Sequence, residues 1–130
     1  MPPSLAAAAK ANIRHLKNSQ VEREQHALAI NRTKEALLKA EVTFVDNGTH
    51  IIIIPIGDPA LSRRASQLLM ERHNIFVQHI NYPTVPKGSE RLRITPTPFH
   101  TEIMIEQLIT ALQDVLSELG LYNKVLAEIA

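Results

Sequence analysis

His50-Ile51-Ile52-Ile53-Ile54-Pro55-Ile56-Gly57-Asp58-Pro59 is the stretch that decides the fold class. Its β-branched residues are apolar at consecutive positions, so both faces of the extended chain are apolar, as in a buried central strand. Pro55 has no N–H to give to a ladder and must lie at the strand's end or at a bulge. Asp58-Pro59 then reads as a helix start, with Asp58 as N-cap and Pro59 in the first turn. A buried strand that feeds a capped helix within ten residues of sequence predicts an α/β (α+β) domain.

Downstream, Leu61, Ala65, Leu68 and Leu69 share one face of that helix, with Arg63, Arg64 and Glu71 elsewhere. Ile75–Ile80 reads as a further strand. The segment Ile80–Pro98, INYPTVPKGSERLRITPTP, then places a turn (Pro83, Pro86, Lys87, Gly88) before a short strand, Arg91–Thr95, which Pro96 and Pro98 terminate. Alternation on a strand points Arg91, Arg93 and Thr95 one way and Leu92 and Ile94 the other. A guanidinium held on a strand is a fork for a carboxylate or phosphate, and Thr84 on the preceding turn is a second donor. This edge is therefore a candidate for anion recognition in a substrate pocket; the plainer alternative is an amphipathic edge strand with solvated arginines. A last helix starts near Thr101, with Met104, Leu108, Ala111, Leu112, Val115 and Leu119 at helical spacing and Gly120 as its C-cap.

Upstream, Asp46-Asn47-Gly48 is a turn and Val42–Val45 a short extended piece. A helix to about Lys39 carries Ala27, Ile30, Leu37 and Leu38 as apolar positions. It starts at Ser19, which forms a capping-box pattern with Glu22. Residues 1–21 contain Lys10, Arg14 and Lys17 but no acid. That composition is shared by organelle presequences, but Pro2 and Pro3 near a helix start and a stripe of Leu5, Ala9, Ile13 and Leu16 favour a structural helix. The predicted order is α-α-β-α-β-β-α, a mixed or antiparallel sheet with helices packed on one face. Residues 1–41 read as a helical connector, 42–119 as a small compact α/β domain and 120–130 as a tail able to form one more short helix.

Composition narrows the chemistry. The 130 residues are 45% apolar with a net charge of +1 and no cysteine. One domain of modest core is implied, while thiolate catalysis, disulfides and cysteine-zinc sites are excluded. Balanced charge and five aromatic residues (two Tyr, three Phe) disfavour nucleic-acid binding, and no apolar run is long enough to span a membrane. The histidines at 15, 26, 50, 73, 79 and 100 have no metal-ligand spacing. His50 and His100 read as structural hydrogen-bonding residues. No nucleophile elbow, Gly-rich phosphate loop or acid-base pair is evident.

The run His50-Ile51 through Gly57-Asp58-Pro59, then Phe76-Val77-Gln78, Ile80-Asn81-Tyr82-Pro83-Thr84-Val85-Pro86, and Gly88 through Arg91-Leu92-Arg93-Ile94-Thr95-Pro96-Thr97-Pro98 and His100 resembles the C-terminal part of the 5-aminolevulinate synthases. These are pyridoxal-phosphate-dependent α-oxoamine synthases of fold-type I, which condense glycine with succinyl-CoA at the start of haem and tetrapyrrole synthesis. Pro2-Pro3-Ser4 and Ile13-Arg14-His15-Leu16-Lys17 are similar to the segment that joins the large domain of such enzymes to the small one. The Asn-Tyr-Pro-Thr-Val-Pro and Arg-Ile-Thr-Pro-Thr-Pro runs are more like these synthases than like their sister acyltransferases, whose substrates lack a free succinyl carboxylate.

The resemblance implies that Arg93 binds the glycine carboxylate and that Thr84 hydrogen-bonds the succinyl carboxylate, with Arg91 structural or at the rim. It implies a homodimer, in the cytoplasm of a bacterium or the mitochondrial matrix of a eukaryote. It also implies a preceding large domain that carries the Schiff-base lysine. Lys10, Lys17, Lys34, Lys39, Lys87 and Lys124 stand in no matching context, so no catalytic, cofactor-binding or metal residue is expected here. The chain accordingly reads as a fragment, an excised domain or a truncated reading frame, inactive alone, with Met1 internal to a longer sequence. A stand-alone carboxylate-binding or regulatory module with the same small-domain fold is the competing reading.

Overall fold

The computed structural model describes residues 1–122. Two helices, α1 (Pro3–Asn18) and α2 (Val21–Lys39), precede strands β1 (Val45–Asp46) and β2 (Ile52–Pro55). Helix α3 (Pro59–His73), strands β3 (Gln78–Ile80) and β4 (Arg91–Ile94), and helix α4 (Glu102–Glu118) follow. The strands form one sheet of order β1-β2-β4-β3, antiparallel throughout.

The decisive stretch folds as its composition requires. Ile52 and Ile54 are fully buried beneath the helices, and Ile53 on the opposite face is half-buried. Pro55 is the last strand residue, paired with Arg91. The Asp58 carboxylate accepts from the Leu61 N–H at 2.8 Å, satisfying one of the orphan donors of α3. The turn between strand and helix needs the left-handed backbone of Gly57 (φ 78°), a region that costs an L side chain steric energy. Both the Ile56 and the Gly57 N–H donate to the Glu90 carbonyl, tying this turn to the start of β4.

Alternating burial in β2 and β4 shows that the helices cover one face of the sheet only. On that face Ile52, Ile54, Leu92 and Ile94 meet Ala65, Leu68 and Leu69 of α3, Leu112 and Val115 of α4, and Leu37 of α2. Helix α4 packs against both α2 and α3. Its junction with α3 is closed at the surface by Arg72, which donates to Glu118, and by His73, which contacts Asp114 at 2.9 Å. The Glu118 carboxylate raises the Arg72 pKa further above its ordinary value. Gly120 (φ 67°) ends α4 as expected, and Leu121 N–H turns back to the Leu116 carbonyl at 2.8 Å.

Several expectations are corrected. The strands are shorter than the runs 50–57, 75–80 and 91–95, because only the residues with a partner across the ladder keep its hydrogen bonds. The extended piece at 42–45 supplies a short edge strand, with Asp46 inside it; the turn is built from Asp46 and Asn47 side chains that accept from Gly48 N–H and Thr49 N–H. Ser19 does not cap α2. Gln20 precedes the helix without a side-chain bond to its backbone, and Ser19 Oγ donates instead to Glu22 at 2.7 Å. Helix α2 buries Ala29, Thr33 and Leu37, while Ala27, Leu28 and Leu38 are exposed. In α4 the buried stripe is Ile105, Ile109, Ala111, Leu112, Val115 and Leu116; Met104 is exposed and Leu108 and Leu119 lie at the margin. Helix α1 forms where expected, yet none of its residues is buried. The expected tail helix lies, beyond residue 122, outside the described residues.

Candidate carboxylate-binding site

Strand β4 splits its side chains as alternation requires: Leu92 and Ile94 enter the core, and Arg93 projects from the open face of the sheet. The register sets Arg93 between Ile53 of β2 and Gln78 of β3. Its Nη2 donates to the Gln78 side-chain carbonyl. Arg91, two residues earlier on the same face, is half-buried and donates from Nε to the Ser89 carbonyl at 2.8 Å, so its guanidinium is tied back to its own turn.

Arg93 and Gln78 line a cleft of about 650 Å3 that runs past Thr95, Thr97 and His100 towards the start of α4. Its wall is shaped by local bonds. His100 Nδ1 accepts from the Thr97 N–H at 3.0 Å, the structural role expected of it, and the Thr101 hydroxyl accepts from Met104 N–H at 3.3 Å to cap α4. His26 Nε2 lies 3.0 Å from the Pro96 carbonyl, and the exposed His50 ring sits 5.7 Å from that of His26. Among the described residues no three His, Asp or Glu side chains gather as a metal centre, and no helix is long and apolar enough to cross a membrane.

Thr84 is exposed on the turn that connects β3 to β4 and does not line the Arg93 cleft. The turn is held in shape from beneath. Asn81 Nδ2 donates to the Pro59 carbonyl at 3.0 Å, its Oδ1 accepts from Ser62 Oγ of α3, and its carbonyl accepts from Thr84 N–H at 3.0 Å. At the far end the buried Glu90 carboxylate accepts from Gly88 N–H at 2.9 Å. Ile80 pairs with Arg91, so Thr84 lies beyond the Arg91 end of the ladder and Arg93 further along β4. The two residues thus present a guanidinium and a hydroxyl at separate points of one hairpin. Strand alternation in the sequence singles out Arg93; no such signal marks Gln78, because which residue faces Arg93 depends on hairpin register.

Among the described residues no lysine lines the cleft. Lys34 is engaged by Asp46 at 2.7 Å, and the Lys87 ammonium lies 5.2 Å from the centre of the Tyr82 ring. The described residues therefore offer no Schiff-base anchor beside Arg93. What they can do chemically is hold and orient anions.

Residues 1–112 match the family model for aminotransferase class I and II. The chain belongs to that family. It is similar to 5-aminolevulinate synthase of Bradyrhizobium diazoefficiens, with 49% identity over 121 residues, covering 93% of this chain and 30% of the relative. The corresponding enzyme of Rhizobium meliloti is 46% identical over 125 residues, covering 96% of this chain and 31% of the relative. The mitochondrial enzyme of Schizosaccharomyces pombe is 44% identical over 122 residues, covering 93% and 22%. This member of the aminotransferase family thus spans between a fifth and a third of the length of these curated relatives. Among solved structures, serine palmitoyltransferase of Sphingomonas wittichii superposes with a TM-score of 0.81 at 23% identity, over 92% of this chain and 30% of that one. The high-resolution structure of SPT with PLP gives a TM-score of 0.83 at 21% identity, over 93% and 31%. At that identity the likeness establishes the fold.

Proposed function

We propose that this chain supplies the small-domain part of a 5-aminolevulinate synthase, which joins glycine to succinyl-CoA and releases 5-aminolevulinate, CoA and CO2. The observation that carries the reading is the 49% identity to such a synthase over 93% of the chain. In this proposal residues 1–41 are the connector from a large domain, 42–119 the small domain and 120–130 its tail. Pyridoxal phosphate is the cofactor of the complete enzyme, seated on residues outside this chain, and the complete enzyme is a homodimer in a bacterial cytoplasm or a mitochondrial matrix.

Arg93 takes the glycine carboxylate. Its guanidinium is exposed on a rigid strand and projects into a cleft, where two parallel N–H groups can meet two carboxylate oxygens. Thr84 takes the succinyl carboxylate through its hydroxyl, on a turn anchored to α3 by Asn81. One hairpin would then grip both substrates by their carboxylates, which sets the distance between the reacting carbons.

The test is an exchange. This segment replaces its counterpart in the Bradyrhizobium diazoefficiens enzyme, and 5-aminolevulinate formation is measured. Activity with glycine and succinyl-CoA is expected. Arg93→Leu should raise the glycine KM and lower kcat, with a loss of roughly 100-fold in kcat/KM for a charged bidentate contact. Thr84→Val should raise the succinyl-CoA KM by roughly two- to tenfold, the value of one hydrogen bond, and leave the glycine KM alone. Unchanged glycine kinetics in Arg93→Leu would overturn the assignment.

A further inference from the structure

We infer that Gln78 is the positioning residue that aims the Arg93 guanidinium, and that its lack of charge keeps Arg93 available to a carboxylate. The inference rests on the reading of Arg93 as the contact for the amino-acid carboxylate and assigns a second residue to that site.

Gln78 and Arg93 are direct partners across the β3–β4 ladder. Both are on the open face of the sheet and both line the same cleft. Directly opposed side chains in an antiparallel pair have Cβ atoms about 5 Å apart, close enough for the two long side chains to meet. They do meet: Arg93 Nη2 donates to Gln78 Oε1. An arginine side chain has several free torsions, and without a partner an exposed guanidinium samples many of them. The bond to Gln78 restricts those torsions before substrate arrives.

The chemistry of the acceptor matters as much as its position. A guanidinium has five N–H donors. One is given to Gln78, and a bidentate grip on a carboxylate uses two, so the fork remains open. An amide oxygen orients the group and leaves its positive charge uncompensated. A glutamate at the same place would orient it equally well, but would compete with the substrate carboxylate for the fork and offset its charge. No acid lines this cleft, so among the described residues nothing else there competes with an incoming carboxylate.

The experiment uses the complete exchanged enzyme with Gln78→Met, which keeps length but loses the acceptor, and Gln78→Glu, which keeps the acceptor and adds charge. Gln78 is exposed, so neither change disturbs the core. Gln78→Met should raise the glycine KM by roughly two- to tenfold, the value of one hydrogen bond, with the succinyl-CoA KM unchanged. Gln78→Glu should raise the glycine KM further. In an Arg93→Leu background Gln78→Met should have no added effect on glycine kinetics.

If Gln78 only braced β3 against β4, glutamate would strengthen its pairing with Arg93 and be the milder change. That order, or an unchanged glycine KM in both variants while Arg93→Leu is impaired, overturns the inference alone. An unimpaired Arg93→Leu overturns the reading beneath it.

Discussion

Arg93 can be an anion fork because three features each remove one alternative. Alternation in β4 keeps it off the core face, Gln78 limits its torsions, and Arg91 is occupied by the Ser89 carbonyl and does not crowd it. Lysine at 93 would keep the charge but lose the planar pair of donors, so it is a poor substitute. A second residue-scale feature lies at the break between α1 and α2. Glu22 accepts from His15 and from Ser19 Oγ, and these bonds, with a backbone bond, lower its pKa to about 2 from the usual 4.5. A depressed carboxylate pKa means that the bond contributes fully above the unfolded value and is lost as pH falls through the folded one. The contribution should therefore be complete above pH 4.5 and disappear towards pH 2. An NMR titration of the Glu22 side-chain carboxyl should show a midpoint near 2, moving back towards 4.5 in His15→Ala.

At the scale of elements, local chemistry sets most helix ends and tertiary contact sets which face is buried. Asp58 and Thr101 cap α3 and α4, at 2.8 and 3.3 Å respectively. Asp58→Ala should lower stability by about 1 kcal/mol, and Thr101→Ala by less because its bond is longer. Urea unfolding followed by circular dichroism would measure both, and equal losses would contradict the geometric ranking. Helix α2 shows where pattern reading fails. Its apolar residues are spread around the helix, so no single stripe stands out, and the buried face includes Thr33, whose hydroxyl donates to the Ala29 carbonyl at 2.8 Å. A threonine that satisfies its own hydroxyl within the helix can be buried, and hydropathy alone does not reveal it.

At the scale of the whole molecule, one face of the sheet is covered, and among the described residues no side chain of α1 is buried. Leu5, Ile13 and Leu16 are 60%, 58% and 42% exposed on α1, on the stripe read from the sequence. Such a surface favours association. Replacing all three by glutamine should reduce self-association of the isolated chain in sedimentation analysis. It should leave the thermal midpoint nearly unchanged, since no residue of α1 is buried. Leu112→Ala gives the contrast. It lies at the junction of α3, α4 and the sheet, is fully buried, and should cost about 2–5 kcal/mol. If the triple surface change lowered stability as much as Leu112→Ala, α1 would have to pack against the domain.

The element order apart from the short edge strand β1, the capped start of α3, the close of α4 at Gly120 and the face on which Arg93 stands were determined by the sequence itself. Each rests on interactions within a few residues: the period of a strand, a carboxylate three residues from an N–H, a backbone angle open to glycine. The strand order β1-β2-β4-β3, the antiparallel sense of every pair, the buried face of α2 and the meeting of Gln78 with Arg93 were decided only by the tertiary structure. These depend on pairings between segments far apart in the chain or on hairpin register. A strand's hydropathy states which face is apolar, but not which neighbour its backbone will bond to or which side chain will stand opposite.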